Sequence, residues 1–364
     1  MTRFALYAFA ALLAVAPATA AEYRAEVVVE GLDAPWALAF LPNGDMLVTE
    51  LSGQLRRISN GTLIGENIAG VPPVHYAGQG GLMDIVLHPD FAENRLLYLS
   101  LARGEPESNA LRIVRARFTG TALENVETVF EAAPVKDTSV HYGGRMAFLP
   151  DDTLLITVGD GFDYREEAQN LGNHFGTVVR IHDDGKVPSD NPFVDDDAAQ
   201  PEIWSYGHRN AQSIEYDGAT DTVFATEHGA RGGDELNIVE AGKNYGWPVI
   251  TWGVDYSGAR ISPYREYAGM EQPLVDWTPS IAPSAMTIYR GTQFPAWDGD
   301  ILVTSLVFRN AVRVDMEGTK VAGSETLFGE FDARLRDIAT GPDGAIYLLA
   351  EGESGRLIRI TPQR

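Results

Sequence analysis

The sequence predicts an all-β protein, a six-bladed β-propeller, and three observations carry that prediction. Glycine (37 residues) and proline (20 residues) are frequent in a chain of 364 residues, as a turn-rich β protein requires. No segment carries a long apolar pattern of period 3.6, so no set of helices competes with strands. One theme recurs six times: an apolar strand, a turn built from Pro, Asp, Asn and Gly, and a second apolar strand.

The copies run in order. "WALAFLPNGDMLVTE" (36–50) turns at Pro42-Asn43-Gly44, and "MDIVLHPDFAENRLLYLSL" (83–101) turns after Pro89-Asp90. "RMAFLPDDTLLITVGD" (145–160) turns at Pro150-Asp151-Asp152, and "QSIEYDGATDTVFATEHG" (212–229) at Asp217-Gly218. "RGTQFPAWDGDILVTSL" (290–306) turns at Asp298-Gly299, and "RDIATGPDGAIYLLAE" (336–351) at Pro342-Asp343-Gly344. The starts lie 46 to 78 residues apart, the spacing of propeller blades with loop insertions. A ring of blades leaves little sheet edge exposed and gathers loops around one face. A pair of β-sandwiches would not explain the repetition, so a single domain over 22–364 is expected.

The start, "MTRFALYAFAALLAVAPATAAE", has the form of a secretory signal over 1–21. Arg3 is its positive end, Phe4 to Val15 is apolar but short for a membrane span, and Ala18-Thr19-Ala20 offers a cleavage site. Export to the periplasm is the expectation, with no membrane span after cleavage. There is no cysteine, hence no disulfide, no thiol chemistry and no lipid-anchor site. The net charge is −23, and removal of Arg3 with the signal makes it −24. Such a surface repels nucleic acid and anionic lipid, although a local cluster of Arg can reverse the field inside a cleft. The acidic stretch 182–200 lacks the spacing of an EF-hand loop and reads as a solvated insertion.

Four places carry candidate chemistry. His141 stands just before the third repeat, beside Gly143 and Gly144. A histidine there is ordinarily a surface or core residue. With bare backbone beside it, a ligand has room and the imidazole is a candidate general base. Arg209 and Asn210 precede the fourth repeat and suit a carboxylate or quinone oxygen, although an Arg tying two blades is an equal reading. The stretch 225–248 offers backbone carbonyls with Asp234, Glu235 and Tyr245, hard oxygen donors that suit calcium rather than zinc. Arg334 and Arg336 are two apart, so they share one strand face. Their partner is either a carboxylate of the protein or an anionic ligand.

Eight segments, in order, then resemble one family: "GLDAPWALAFLPNGDMLVTE", "GQGGLMDIVLHPDF", "HYGGRMAFLPD", "GKVPSDNPF", "YGHRNAQ", "EHGARGGDELNI", "GKNYGWP" and "RLRDI". The chain resembles the soluble sugar dehydrogenases that use pyrroloquinoline quinone (PQQ), in particular the bacterial aldose type, over nearly its whole length beyond 1–21. The resemblance implies PQQ over the central face and His141 as the base. It implies cofactor contacts from Gln79, Arg209, Asn210, Tyr256, Ser280, Arg334 and Arg336. One calcium ion would be held by the carbonyls of Gly229 and Ala230, a second by Glu235 and Tyr245, with Asp234 behind the cofactor loop. Arg209 would also stabilise charge developing on the quinone. The implied reaction oxidises an aldose at C1 to a lactone and passes electrons to an external acceptor. A monomer and a homodimer are equally compatible with a closed ring.

Two positions depart from the pattern. Some relatives carry an acidic residue before the base, where this chain has Val140, so the partner that orients His141 is not given. Some carry Lys where this chain has Val307, and Arg309 is the nearest cation to replace it. A lactonase-type propeller would hold calcium with acidic and Asn side chains and has no use for paired arginines. A non-enzymatic binding propeller has no use for His141 with Gln79 and the arginines.

Overall fold

A computed structural model describes residues 23–352 and 354–363. The expected signal, 1–21, lies outside them. The described chain is a six-bladed propeller of four-stranded antiparallel sheets. Among the described residues the one α-helix is the short turn Phe91–Asn94, and no helix is long and apolar enough to cross a membrane.

The innermost strands are Pro35–Phe40, Leu82–Leu87, Gly143–Phe148, Ala211–Asp217, Pro283–Ile288 and Leu335–Thr340. Each packs on the next, and the last packs on the first. The second strands, such as Met46–Glu50 and Thr153–Val158, are buried along their whole length. This is why they read as continuous apolar runs rather than alternating ones. Hydroxyls latch neighbouring blades: Thr49 Oγ1 donates to Met83 O at 2.5 Å, Thr157 Oγ1 to Ala211 O at 3.2 Å and Ser284 Oγ to Leu335 O at 2.6 Å. The ring closes with the N-terminal strand, Tyr23–Leu32, which pairs antiparallel with Gly355–Pro362 as the outer strand of the last blade.

Five repeats coincide with the inner two strands of a blade. The fifth is displaced. Its first strand is Pro283–Ile288, upstream of the expected start at 290, and 290–300 is a connection. There Pro295, without an N–H for a ladder, opens a 3₁₀ turn, and Phe294 stacks on Trp297 with ring centroids 4.4 Å apart. The apolar residues of that connection cap the blade and do not form a strand.

Every innermost strand has a register shift at its start, between Pro35 and Ala37, Leu82 and Ile85, Gly143 and Met146, Ala211 and Ser213, Pro283 and Met286, and Leu335 and Asp337. A bulge re-aims the side chain it carries. Here the bulged segments supply Trp36, Met83, Arg145, Gln212 and Arg336 to the axis of the ring.

Arg145 joins all six blades. Its guanidinium lies 4.0 Å from the Trp36 ring centroid and reaches Asp84 at 3.3 Å and Asp337 at 3.0 Å. It donates to Gln212 O and Ser284 O, each at 2.8 Å. One cavity, of about 350 Å³, lies on the Trp36, Met83 and Gln212 side of this node. Another, of about 430 Å³ with Asp84, Glu215 and Asp337 in its wall, lies on the other side.

Candidate active site

His141 sits in the loop entering the third blade, with a left-handed φ of 51° and 4% exposure. Its Nδ1–H donates to Asp160 Oδ1 at 2.7 Å. Asp160 comes from the end of the neighbouring strand and is itself held by Trp247 Nε1–H and the Phe162 N–H, each at 2.8 Å. Burial alone would raise the Asp160 pKa, but the hydrogen bond from His141 and the nearby charges pull it below the ordinary value. Burial lowers the His141 pKa against the pull of Asp160, and Arg209 and Lys136 lower it further. The pair is therefore neutral imidazole with carboxylate, and Nε2 carries the free lone pair. Asp160 is the hydrogen-bond partner of His141 that the sequence, with Val140 before the histidine, did not give.

The neighbouring glycines answer to packing rather than to a ligand. A Cβ on Gly143 would stand 2.7 Å from Thr157 O, and one on Gly144 would stand 3.1 Å from Met83 Cε. Both residues have positive φ, so the bulge itself demands them.

The cavity of about 350 Å³ is within the size range of cofactor sites and is lined by Gln79, His228, Tyr256, Arg334 and Arg336, among others. Gln79 Oε1 accepts the His141 backbone N–H at 2.8 Å, so its amide NH₂ is what faces outward. Arg334 Nε and Arg336 Nε donate to the two oxygens of Glu351, at 2.8 and 2.6 Å. The question of their partner thus resolves both ways. A protein carboxylate holds them, yet two guanidinia share one carboxylate and leave a net positive wall. Asn210 is 1% exposed, and its Nδ2 has no partner among the described residues. A buried donor left unpaired points to a ligand or water. His228 donates from Nε2 to Pro283 O at 2.8 Å, and burial with Arg209 and His141 nearby lowers its pKa to about 3. It is a neutral acceptor in the cavity wall that the sequence reading passed over.

A second cavity, of about 260 Å³, shares Tyr256 and adds Phe162, Arg165, Arg209, Ala230 and Trp247. Phe162 stacks on Tyr256 at 6.2 Å and meets the His141 ring edge-on at 5.1 Å. His141 touches a wall residue of each cavity, its backbone on Gln79 of the first and its ring on Phe162 of the second.

A family model described as "Glucose / Sorbosone dehydrogenase" matches residues 32–359. The chain belongs to that family. It is 39% identical to "Aldose sugar dehydrogenase YliI" of Escherichia coli over 98% of this chain and 97% of that protein. The crystal structure of the soluble aldose sugar dehydrogenase from E. coli in its apo form superposes with a TM-score of 0.90 at 38% identity, covering 94% of this chain and all of that one. The PQQ-bound form of an aldose sugar dehydrogenase from Streptomyces coelicolor superposes with a TM-score of 0.77 at 28% identity, covering 95% of this chain and 100% of that one.

The remaining residues expected from this family divide into those free for a ligand and those already engaged. Arg209, 4% exposed, directs its guanidinium at the carbonyls of His228 and Gly229, so the Gly229 carbonyl already faces a cation. An ion bound to that carbonyl would have to take the place of the guanidinium, and Ala230 adjoins it in the same loop. Asp234 is fully engaged by the Gly229 and Ala282 N–H groups and by the Ser280 hydroxyl, at 2.8, 2.7 and 2.6 Å. It stands behind the loop, and Ser280 offers its hydroxyl to Asp234 rather than to the cavity. Glu235 lies directly between Glu227 and Asp276 across adjacent strands, and Asp276 Oδ2 and Asn237 Oδ1 are buried without hydrogen-bond partners among the described residues. Burial, then the Glu227 carboxylate, raises the Glu235 pKa well above its ordinary value. A cation would relieve this group. Tyr245 would not supply its hydroxyl, which donates to Ile238 O at 2.6 Å and accepts the Glu240 N–H at 2.9 Å. Arg309 pairs with Asp332 at 3.0 Å on the surface, and Val307 is 54% exposed, so neither provides the additional cation.

Proposed function

We propose that this chain is a PQQ-dependent aldose dehydrogenase that oxidises the C1 hydroxyl to the lactone in the periplasm. The observation that carries the reading is the His141–Asp160 pair behind the walls of two neighbouring cavities, one lined by Arg334 and Arg336 and the other by Arg209. PQQ, when bound, supplies the two-electron acceptor for the C1 hydride and afterwards passes its electrons to an external acceptor.

The protein's own part follows from the geometry. His141 Nε2 takes the proton of the anomeric hydroxyl. Asp160 fixes the tautomer that leaves Nε2 free and stabilises the imidazolium that forms. Arg334 and Arg336, one of their two charges unmatched, hold carboxylates of the cofactor. Asn210 Nδ2 and the Gln79 amide are donors for its oxygens. Arg209 favours negative charge developing near it. The carbonyls of Gly229 and Ala230 would hold one calcium ion, and Glu235 would serve a second. Phe162 and Tyr256 give the apolar face on which a sugar ring lies.

The test is dye reduction by protein loaded with PQQ and calcium, offered a panel of aldoses. Activity that requires both additions is expected. His141→Asn should lower turnover by about 10²–10⁴-fold while PQQ stays bound. Full activity in that variant would remove His141 as the base.

A further inference from the structure

Beneath the loop that presents His141 lies a buried lysine with no ion-pair partner among the described residues. Lys136 is 5% exposed. Its ammonium donates to Val140 O at 2.9 Å, to Asn109 Oδ1 at 3.3 Å and to Thr138 O, and it sits 3.6 Å from the centroid of the Tyr142 ring. All three ammonium hydrogens are thus matched by neutral oxygens, and an aromatic face covers the charge. The Tyr142 hydroxyl donates to the same Asn109 Oδ1 at 2.6 Å. The backbones of Asn109 and Lys136 exchange two hydrogen bonds of 2.9 Å. The residues on both sides of His141 therefore hang on one cation.

Burying an unpaired ammonium opposes folding, and the same loop anchorage is available to an uncharged group. A structural role explains the hydrogen bonds but not the charge. The charge acts on the His141–Asp160 pair, favouring the Asp160 carboxylate and opposing the His141 imidazolium, and although burial lowers the lysine pKa to about 7 it is carried below neutral pH, where His141 titrates. We propose that Lys136 is a positioning residue for the base: its ammonium ties residues 138–142 together and places a cation beneath the His141–Asp160 pair. The charged and titratable groups facing His141 are Asp160, Arg209, Lys136 and His228, with Asp137 facing Lys136 itself. Asp160 favours the imidazolium and both cations oppose it. The inference uses the reading of His141 as the base only for its kinetic consequence.

The experiment is an NMR titration of His141 in the full-length protein from pH 4 to 9, its resonance assigned by difference with His141→Asn. Wild type is compared with Lys136→Gln, which keeps a polar end but not the charge, and Lys136→Arg, which keeps the charge. Loss of the charge should raise the His141 midpoint by roughly half a pH unit or more, about a threefold change in its protonation constant, and the arginine variant should keep the wild-type midpoint. The acidic limb of kcat/KM should move with it. A His141 midpoint unchanged in Lys136→Gln, or a His141 that stays neutral down to pH 4 without the charge, overturns the proposal. Should Lys136→Gln fail to fold, Lys136→Met, of similar length, is titrated against the same criterion. A midpoint that moves while the acidic limb of kcat/KM does not would uphold Lys136 and remove His141 as the base.

Discussion

At the scale of the residue, the place of His141 at a blade entrance was legible and the carboxylate it bonds was not. A histidine at a strand entrance can be named from its neighbours in sequence. Asp160 lies 19 residues away and meets it only because two adjacent strands bring their ends together. The "GD" that closes the third repeat reads as turn chemistry, and its function appears only when Trp247, from the next blade, also reaches it. Asp160→Asn tests that function. The amide can donate to Nδ1 and so favour the tautomer that protonates Nε2. Turnover should fall by about 10²-fold or more with PQQ affinity unchanged, as steady-state rates and a PQQ titration would show. Arg334→Ala acts on the other side of the site. It removes charge-assisted contacts, and PQQ retention should weaken by roughly 10–100-fold while loaded enzyme keeps most of its turnover.

At the scale of the element, the hairpins were legible because each carries its own turn residues and needs no distant partner to be recognised. The bulges were not legible. They lie where Trp36, Met83, Arg145, Gln212 and Arg336 leave the strand, and nothing in the local pattern separates those residues from ordinary inward positions. The fifth blade was misplaced for a related reason, since an apolar connection carrying Phe294 and Trp297 imitates a strand when only hydrophobicity is read. The inner strands also carry titratable groups that the repeat does not predict. Glu215 accepts the Ile288 N–H at 3.1 Å, and burial lifts its pKa to about 8. The folded chain therefore keeps a proton that the unfolded chain releases above pH 4.5. The associated stability is complete below that value and is lost as pH rises through 8. Glu215→Gln should lie close to wild type at pH 5 and exceed it at pH 9 by on the order of 4 kcal/mol in denaturant melts. A constant difference across that range would show that Glu215 is not held protonated.

At the scale of the whole molecule, two devices close the ring, and neither is visible in a single repeat. One is the N-terminal strand seated on the last blade. Deleting 23–32 would expose the edge of Gly355–Pro362, and the truncated chain should melt at lower temperature and aggregate, as light scattering would record. The other is Arg145. Arg145→Met leaves Asp84 and Asp337 buried without their cation, and a loss of about 3–5 kcal/mol is expected from thermal or chemical unfolding.

That same arginine has a consequence for traffic. It separates the cavity beside His141 from the cavity behind it, so the axis of the ring offers no passage from one to the other. Under the proposed reaction, sugar, lactone and the oxidising partner all work from the His141 side of that arginine. Two visitors that must approach the same cofactor from the same side exclude each other. Under the proposed reaction each turnover becomes two consecutive visits, and reciprocal plots against sugar at several fixed dye concentrations should be parallel lines.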